Sequence, residues 1–361
     1  MIKVLQLGLS ERFGGIESFL LNIRNNIDIN TVKFDYVAYS CEVKYFNKFE
    51  TNGSKIYYIK HRKNIILYYV ELLNIMKQYD IIHINKNSAI DFIPFIAAKK
   101  AKKPIIIAHS HNAKNTSNIV INVLNALGRF VIINCSDYFL SCSRLASNWL
   151  FGSGRSVQKK RGEILYNGID LNIYKFDLKK RMEFRRQLGV KNSIVVGCVG
   201  RFVDQKNQIF LLKILKLMLK HNKDVTFLFI GDGPNFDLVR RKFNLYNKNV
   251  IFMGAVDNVC DYLQAMDVFV MPSLYEGLPI AAIEAQANGL PVILSNSITD
   301  EVICNDNVVR CSLDAEEKWC EYILSLNRQD ILSSKLKKYD IKLISKKITH
   351  IYMSLLKKKE D

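Results

Sequence analysis

Glu276 and Glu284 stand eight positions apart, on either side of Gly277-Leu278-Pro279. The run before them, 268–271, is apolar and β-like, and the run after them closes on Gly289 and enters a second apolar run, 292–294. This order reads strand, tight turn, helix, strand. It places Pro279 in the first helical turn and Gly289 just past the helix end. The turn then aims free backbone N–H groups and the positive end of a helix dipole at a ligand above the strand, which favours phosphate. Carboxylates repel phosphate but accept hydrogen bonds from hydroxyls. A phosphate seat flanked by hydroxyl-binding acids implies a sugar nucleotide.

Other polar clusters fall where apolar runs end. His83-Ile84-Asn85-Lys86-Asn87 closes the run 80–84, and His109-Ser110-His111-Asn112 closes the run 104–108. Ligands in open α/β sheets bind beyond the carboxyl ends of strands, so His109 and His111 are candidate contacts. Strand alternation is expected to point the two to opposite sides, leaving one to face the site. Arg201 and Lys206 lie in the polar turn that follows the run 193–199. Gly14-Gly15 separates the apolar run 2–9 from a helical pattern of Ile16, Phe19, Leu20, Ile23 and Ile27. There Glu17 either caps the helix or faces a ligand.

The frame for these clusters is an alternation of strands and helices. Further strands are expected at 34–39, 55–59, 138–141, 226–230 and 249–253, with helices at 65–76, 89–100 and 208–221. In the last, Lys213, Lys216 and Lys220 form a solvated face. Such alternation argues parallel sheets covered on both faces. With 361 residues the chain has room for two such domains. The turn at Asn167-Gly168, followed by the charged stretch 175–186, places the boundary near 170. A domain 1–170 and a domain 171–340 result, with a terminal helix at about 341–361 packing back on the first. Two α/β domains facing each other make a cleft for the ligand.

Composition narrows the classes. A net charge of +18 calls for an acidic partner: nucleic acid, an anionic membrane or a phosphorylated substrate. The eight cysteines lack C-x-x-C spacing, which fits reduced buried thiols rather than a disulfide frame or a zinc site. Met1-Ile2-Lys3-Val4 enters a strand directly, so no signal peptide is expected, and the apolar window 119–133 is too polar and short to span a bilayer. The expected place is the cytoplasm, at the inner face of the cell membrane.

Taken together, Glu276-x7-Glu284 with its surrounding stretch Met271-Pro272-Ser273-Leu274-Tyr275-Glu276-Gly277-Leu278-Pro279, Gly14-Gly15-Ile16-Glu17, His109-Ser110-His111-Asn112, Asn167-Gly168-Ile169-Asp170, Gly200-Arg201 with Lys206, and Gly231-Asp232-Gly233-Pro234 resemble the retaining glycosyltransferases of family four. The N-terminal pieces look most like the capsular and exopolysaccharide members. The resemblance implies the GT-B fold, two Rossmann-like domains across a cleft. It also implies transfer from a nucleotide-diphosphate sugar, UDP-sugar favoured, to a hydroxyl of a lipid-linked glycan. By the same resemblance Arg201 and Lys206 hold the diphosphate, Glu284 binds the ribose hydroxyls, and Glu276 faces the sugar beside the backbone of Gly277, Leu278 and Pro279. Gly15 lets the N-terminal loop approach the donor phosphate or the acceptor. A strand-end histidine touches the sugar, and of His109 and His111 the second is favoured. No cofactor is expected, and the chain has no Asp-x-Asp pair to hold a metal.

The rival readings are a sugar-nucleotide epimerase of the same architecture, which the Glu-x7-Glu spacing disfavours, and a basic nucleic-acid-binding protein, for which no aromatic platform or reader motif is present. Membership among lipid-linked-sugar enzymes implies membrane contact. The candidate contacts are Lys99-Lys100-Ala101-Lys102-Lys103 and Lys159-Lys160-Arg161, with an interfacial helix at 118–133.

Overall fold

The computed structural model describes residues 1–361 apart from 12, 40–42, 52, 103, 113–118, 153–161, 222, 330–332 and 361. The chain divides into two compact units, one formed by Met1–Gly168 with Lys338–Asp361, the other by Ile169–Lys337. Lys103, Asn118 and the run Lys159-Lys160-Arg161 lie outside the described residues.

The first unit is built on seven parallel strands: β1 (Ile2–Leu9), β2 (Val32–Ala38), β3 (Ile56–Tyr58), β4 (Ile81–Lys86), β5 (Ile105–Ser110), β6 (Tyr138–Ser141) and β7 (Gly162–Ile164). Their spatial order is β3-β2-β1-β4-β5-β6-β7. Most of these strands are predominantly apolar because both faces of the sheet are covered. On one face Phe19, Leu20 and Ile23 of helix Gly15–Asn26 pack with Ile344, Ile348, Ile351 and Tyr352 of the C-terminal helix Ile341–Glu360 against Phe34, Tyr36, Ile105 and Ile107. On the other, Tyr68, Leu72 and Met76 of helix Ile65–Met76, Phe95 of helix Ile93–Lys100 and Ile132 of helix Ile119–Cys135 cover Leu5, Leu7, Ile82, Ile84 and Ile106.

Helix Ile119–Cys135 has its polarity reversed. Asn125 is buried and accepts from the Ala89 amide at 3.0 Å. A Cβ at Gly128 would stand 1.9 Å from the Ala89 carbonyl oxygen, so only glycine allows this approach. Outside, Val120, Val123, Leu127 and Phe130 are exposed, Phe130 by 72%. Among the described residues no helix is long and apolar enough to cross a membrane.

The second unit carries six parallel strands: β8 (Ile194–Val199), β9 (Val225–Ile230), β10 (Val250–Phe252), β11 (Val268–Met271), β12 (Val292–Ser295) and β13 (Val308–Cys311), in the order β10-β9-β8-β11-β12-β13. The charged stretch at 175–186 is mostly structured within this unit. It forms helix Leu178–Gln187, and Arg185 donates to the Asp267 carboxylate at 2.8 Å, to the Ser193 carbonyl at 2.6 Å and to the Ala265 carbonyl at 2.9 Å. Its charges are therefore partly internal, which periodicity alone does not reveal.

Candidate functional site

In the second unit the strand order reverses direction between β8 and β11, the position where open α/β sheets bind ligands. Gly200-Arg201 leaves β8, and Ser273-Leu274-Tyr275-Glu276 leaves β11. Gln205 clamps the two loops together. Its carbonyl accepts from the Leu274 amide at 2.8 Å, and its side-chain amide donates to the Tyr275 carbonyl at 2.9 Å. Asn207 takes the left-handed conformation at φ 51°, a cost that asparagine tolerates, and donates to the Pro272 carbonyl at 3.2 Å.

This clamp brings Lys206 to Glu276, with Nζ 2.7 Å from Oε1 and the side chains only 19% and 7% exposed. Arg201 is exposed, and none of the described residues forms an ion pair with it. Helix Ile280–Ala287 begins one residue later than the sequence implied. Pro279 is the extended residue before the helix, at φ −77° and ψ 94°, where its missing N–H is equally harmless. The backbone amides of Gly277 and Leu278 meet no acceptor among the described residues. At the far end Gly289 has φ +76°. Its amide reaches the Gln286 carbonyl at 2.9 Å and the Leu290 amide reaches Ala285 at 3.1 Å, a Schellman closure that suits glycine.

Glu284 lies one turn into this helix and accepts from the Tyr174 hydroxyl at 2.6 Å. Burial pushes its carboxyl above the ordinary glutamate value, and the Tyr174 bond pulls it partly back. Tyr174 is in turn held by its carbonyl, which accepts from Asn288 at 2.8 Å. Neither Tyr174 nor Gln205 carries a signal in the sequence, since their partners are distant in the chain.

In the first unit the loop after β1 is braced by Glu17. Its Oε1 accepts from the Ser10 amide at 3.1 Å and the Ser10 hydroxyl at 2.7 Å, so Glu17 is consumed in shaping the loop. Burial raises its pKa, which these bonds oppose. A Cβ at Gly15 would meet nothing within 4 Å, so the helix start is open on that side.

His109 and His111 do not point to opposite sides. Their ring centroids are 4.0 Å apart, because residues two apart in a strand share a face. His109 is fully buried and His111 is 8% exposed, which makes His111 the outer member of the pair. Phe19 packs against both, with ring centroids 5.0 Å from each. Lys86 is taken up by Asp91, 3.0 Å away.

Burial holds the imidazoles of His83 and His111 down to about 3, and His109 well below its ordinary value. The folded chain thus refuses protons that the unfolded chain accepts near 6.5. The resulting stability is present above that value and is lost as pH falls towards 3. His83 and His111 each contribute on the order of 1 kcal/mol per pH unit across that window, and His109 acts in the same direction. Denaturant unfolding at pH 7 and at pH 4.5 measures the slope, and equal stability at the two would contradict neutral burial.

Residues 193–329 match the family described as Glycosyl transferases group 1. Over 301 residues the chain is 30% identical to EpsF of Bacillus subtilis strain 168, covering 80% of this chain and 78% of that protein. It is 29% identical over 251 residues to the UDP-Gal:alpha-D-GlcNAc-diphosphoundecaprenol alpha-1,3-galactosyltransferase of Escherichia coli, covering 66% of this chain and 62% of that enzyme. The solved structure of Anabaena HepE in complex with UDP and glucose superposes with a TM-score of 0.82 at 18% identity, over 98% of this chain and 100% of that one. The two parallel α/β units are those of the GT-B fold. By its sequence relatives and its matched domain, the chain belongs to the group 1 glycosyl transferases.

Proposed function

We propose that this glycosyltransferase moves a hexosyl or N-acetylhexosaminyl group from a nucleotide-diphosphate sugar, UDP-sugar by preference, to a hydroxyl of a lipid-linked glycan in capsular or exopolysaccharide synthesis. Transfer proceeds with retention and without a metal. The observation that carries the reading is the Lys206–Glu276 pair, 2.7 Å apart, beside the acceptor-free amides of Gly277 and Leu278. The relative from Escherichia coli, whose name specifies UDP-Gal and a diphosphoundecaprenol acceptor, supports the donor and acceptor classes.

As the glycosidic C–O bond breaks, negative charge develops on the departing diphosphate. Arg201, Lys206 and the helix-start amides stabilise that charge, taking the place of a metal. Glu284 accepts from the ribose hydroxyls. Glu276, with the backbone of Gly277, Leu278 and Pro279, holds the sugar. Gly15, His109 and His111 serve the phosphate and sugar from the first unit, His111 making the contact and His109 standing behind it. The acceptor attacks from the face the diphosphate leaves, so no enzymic nucleophile is assigned. In Arg201→Ala, loss of a charge-assisted bond weakens UDP-sugar binding by roughly 10- to 100-fold. EDTA leaves wild-type transfer intact. Unchanged affinity in the variant, or activity lost in EDTA and restored by a divalent ion, would refute the corresponding part.

The membrane contact is proposed at a different place from the lysines at 99–103. Lys99 and Lys100 end helix Ile93–Lys100, towards the amino edge of the sheet. Helices Ile65–Met76 and Ile119–Cys135 instead begin at the carboxyl edge, where His109 and His111 lie, and each packs on helix Ile93–Lys100. Lys60, His61, Arg62 and Lys63 are exposed there, followed by Ile65 at 65% and Ile66 at 74%. Cations beside protruding apolar side chains suit an anionic interface. The wild type is expected to sediment with anionic vesicles at low salt, and Ile66→Asp with Phe130→Asp to stay in solution. Equal sedimentation of both proteins would reject this face.

A further inference from the structure

Three histidines, a glutamine, an asparagine and a tyrosine form one buried hydrogen-bonded chain in the first unit. Its proton order can be deduced from a single backbone atom. The Leu7 carbonyl can only accept, so the Asn85 atom 2.9 Å away is the amide nitrogen. Asn85 Oδ1 is then an acceptor, and His111 Nε2, 2.8 Å from it, carries the proton. The second Asn85 N–H goes to Gln6 Oε1 at 3.0 Å, which makes the other Gln6 terminus the NH2 group. That group donates to the Tyr352 oxygen at 3.1 Å and stands at the longer distance of 3.4 Å from His83 Nδ1. The Tyr352 proton is left to point at His83 Nδ1, 2.7 Å away. His83 therefore carries its own proton on Nε2 and donates it to His109 Nδ1 at 3.1 Å. The chain ends at His109 Nε2–H, which turns towards the Leu165 backbone without a hydrogen bond of good geometry among the described residues.

We propose that Tyr352, on the C-terminal helix, is a positioning residue for the transfer site: it fixes the tautomers of His83 and His109 and so sets the pattern of donors behind His111. Gln6 and Asn85 connect the same hydroxyl to His111 by a separate branch. A residue almost at the end of the chain, on an element with no strand-end loop of its own, thus orders the polar groups at the carboxyl ends of β4 and β5. A buried network of this kind fixes orientation only when each member has its partner. The assignment rests on the reading above only in taking these strand ends as part of the site.

The test is long-range proton–nitrogen NMR of imidazole-labelled protein, with exposed His61, His221 and His350 as references. In the wild type His83, His109 and His111 are all expected as Nε2–H forms. Tyr352→Phe keeps the ring and removes the close donor to His83 Nδ1, leaving only the Gln6 amide nitrogen at 3.4 Å. Its His83 and His109 signals are expected to become averages of both tautomers, while His111, held through Asn85, keeps its pattern. A uniformly loosened core would move all three. The same variant is expected to lower kcat by up to about 100-fold with donor KM unchanged. An Nδ1–H form in any of the three wild-type rings overturns the proton order even if the variant does not fold. Unchanged signals or unchanged kcat in Tyr352→Phe overturns the role of Tyr352. The NMR pattern needs no ligand, so it stands or falls separately from UDP-sugar binding by the wild type.

Discussion

Replacing Lys206 by alanine is expected to lower transfer by roughly 100-fold or more and to destabilise the fold by about 3 kcal/mol. The two effects have one source. Lys206 and Glu276 are 2.7 Å apart and only 19% and 7% exposed, so removing the ammonium leaves a carboxylate in a site with little water. Breaking such a pair costs more than the pair itself contributes, because the remaining charge keeps its desolvation penalty. Adding Glu276→Gln should therefore recover most of the lost stability. It should not recover transfer, since the diphosphate still lacks its cation and the sugar its carboxylate. Denaturant midpoints at constant m-value measure the first, and initial rates the second. Transfer regained in the double variant would show that Lys206 serves only to neutralise Glu276.

Glu284→Ala is the second large effect, a loss of UDP affinity by roughly 10- to 100-fold. The carboxylate accepts from Tyr174 at 2.6 Å, and that bond aims it. Tyr174→Phe should accordingly weaken UDP less than Glu284→Ala does. The pH dependence carries a definite sign. Burial raises the Glu284 carboxyl above 4.5, so in the folded protein ionising it costs stability, and that cost appears as pH rises through the raised value. Hydroxyls donate to the ionised form. UDP affinity should then increase with pH through that window, and Glu284→Gln should flatten the profile. A variant as pH-sensitive as the wild type would assign the titration to another group.

How much of this was legible beforehand depends on the range of the interaction. The strand-turn-helix around Glu276 and Glu284, the glycine closing that helix and the carboxyl-edge position of Arg201 and Lys206 are consequences of local pattern. Periodicity and turn chemistry are properties of neighbouring residues, and they are visible in the sequence. Strands β7 and β13 were not visible, being short and bounded by polar residues. The charged helix Leu178–Gln187 was not visible either, because its buried Arg185 finds a carboxylate far along the chain, at Asp267.

The site divides in the same way. The sequence by itself determined which residue types stand at the strand ends: two carboxylates, two cations and two histidines. Only the tertiary structure decided that Lys206 faces Glu276, that Tyr174 holds Glu284, and that Tyr352 reaches His83 across 269 positions. Side-chain partners are chosen by burial. A polar group excluded from water must bond to whatever the fold brings within about 3 Å, and that choice is settled when helices close on sheets rather than along the chain.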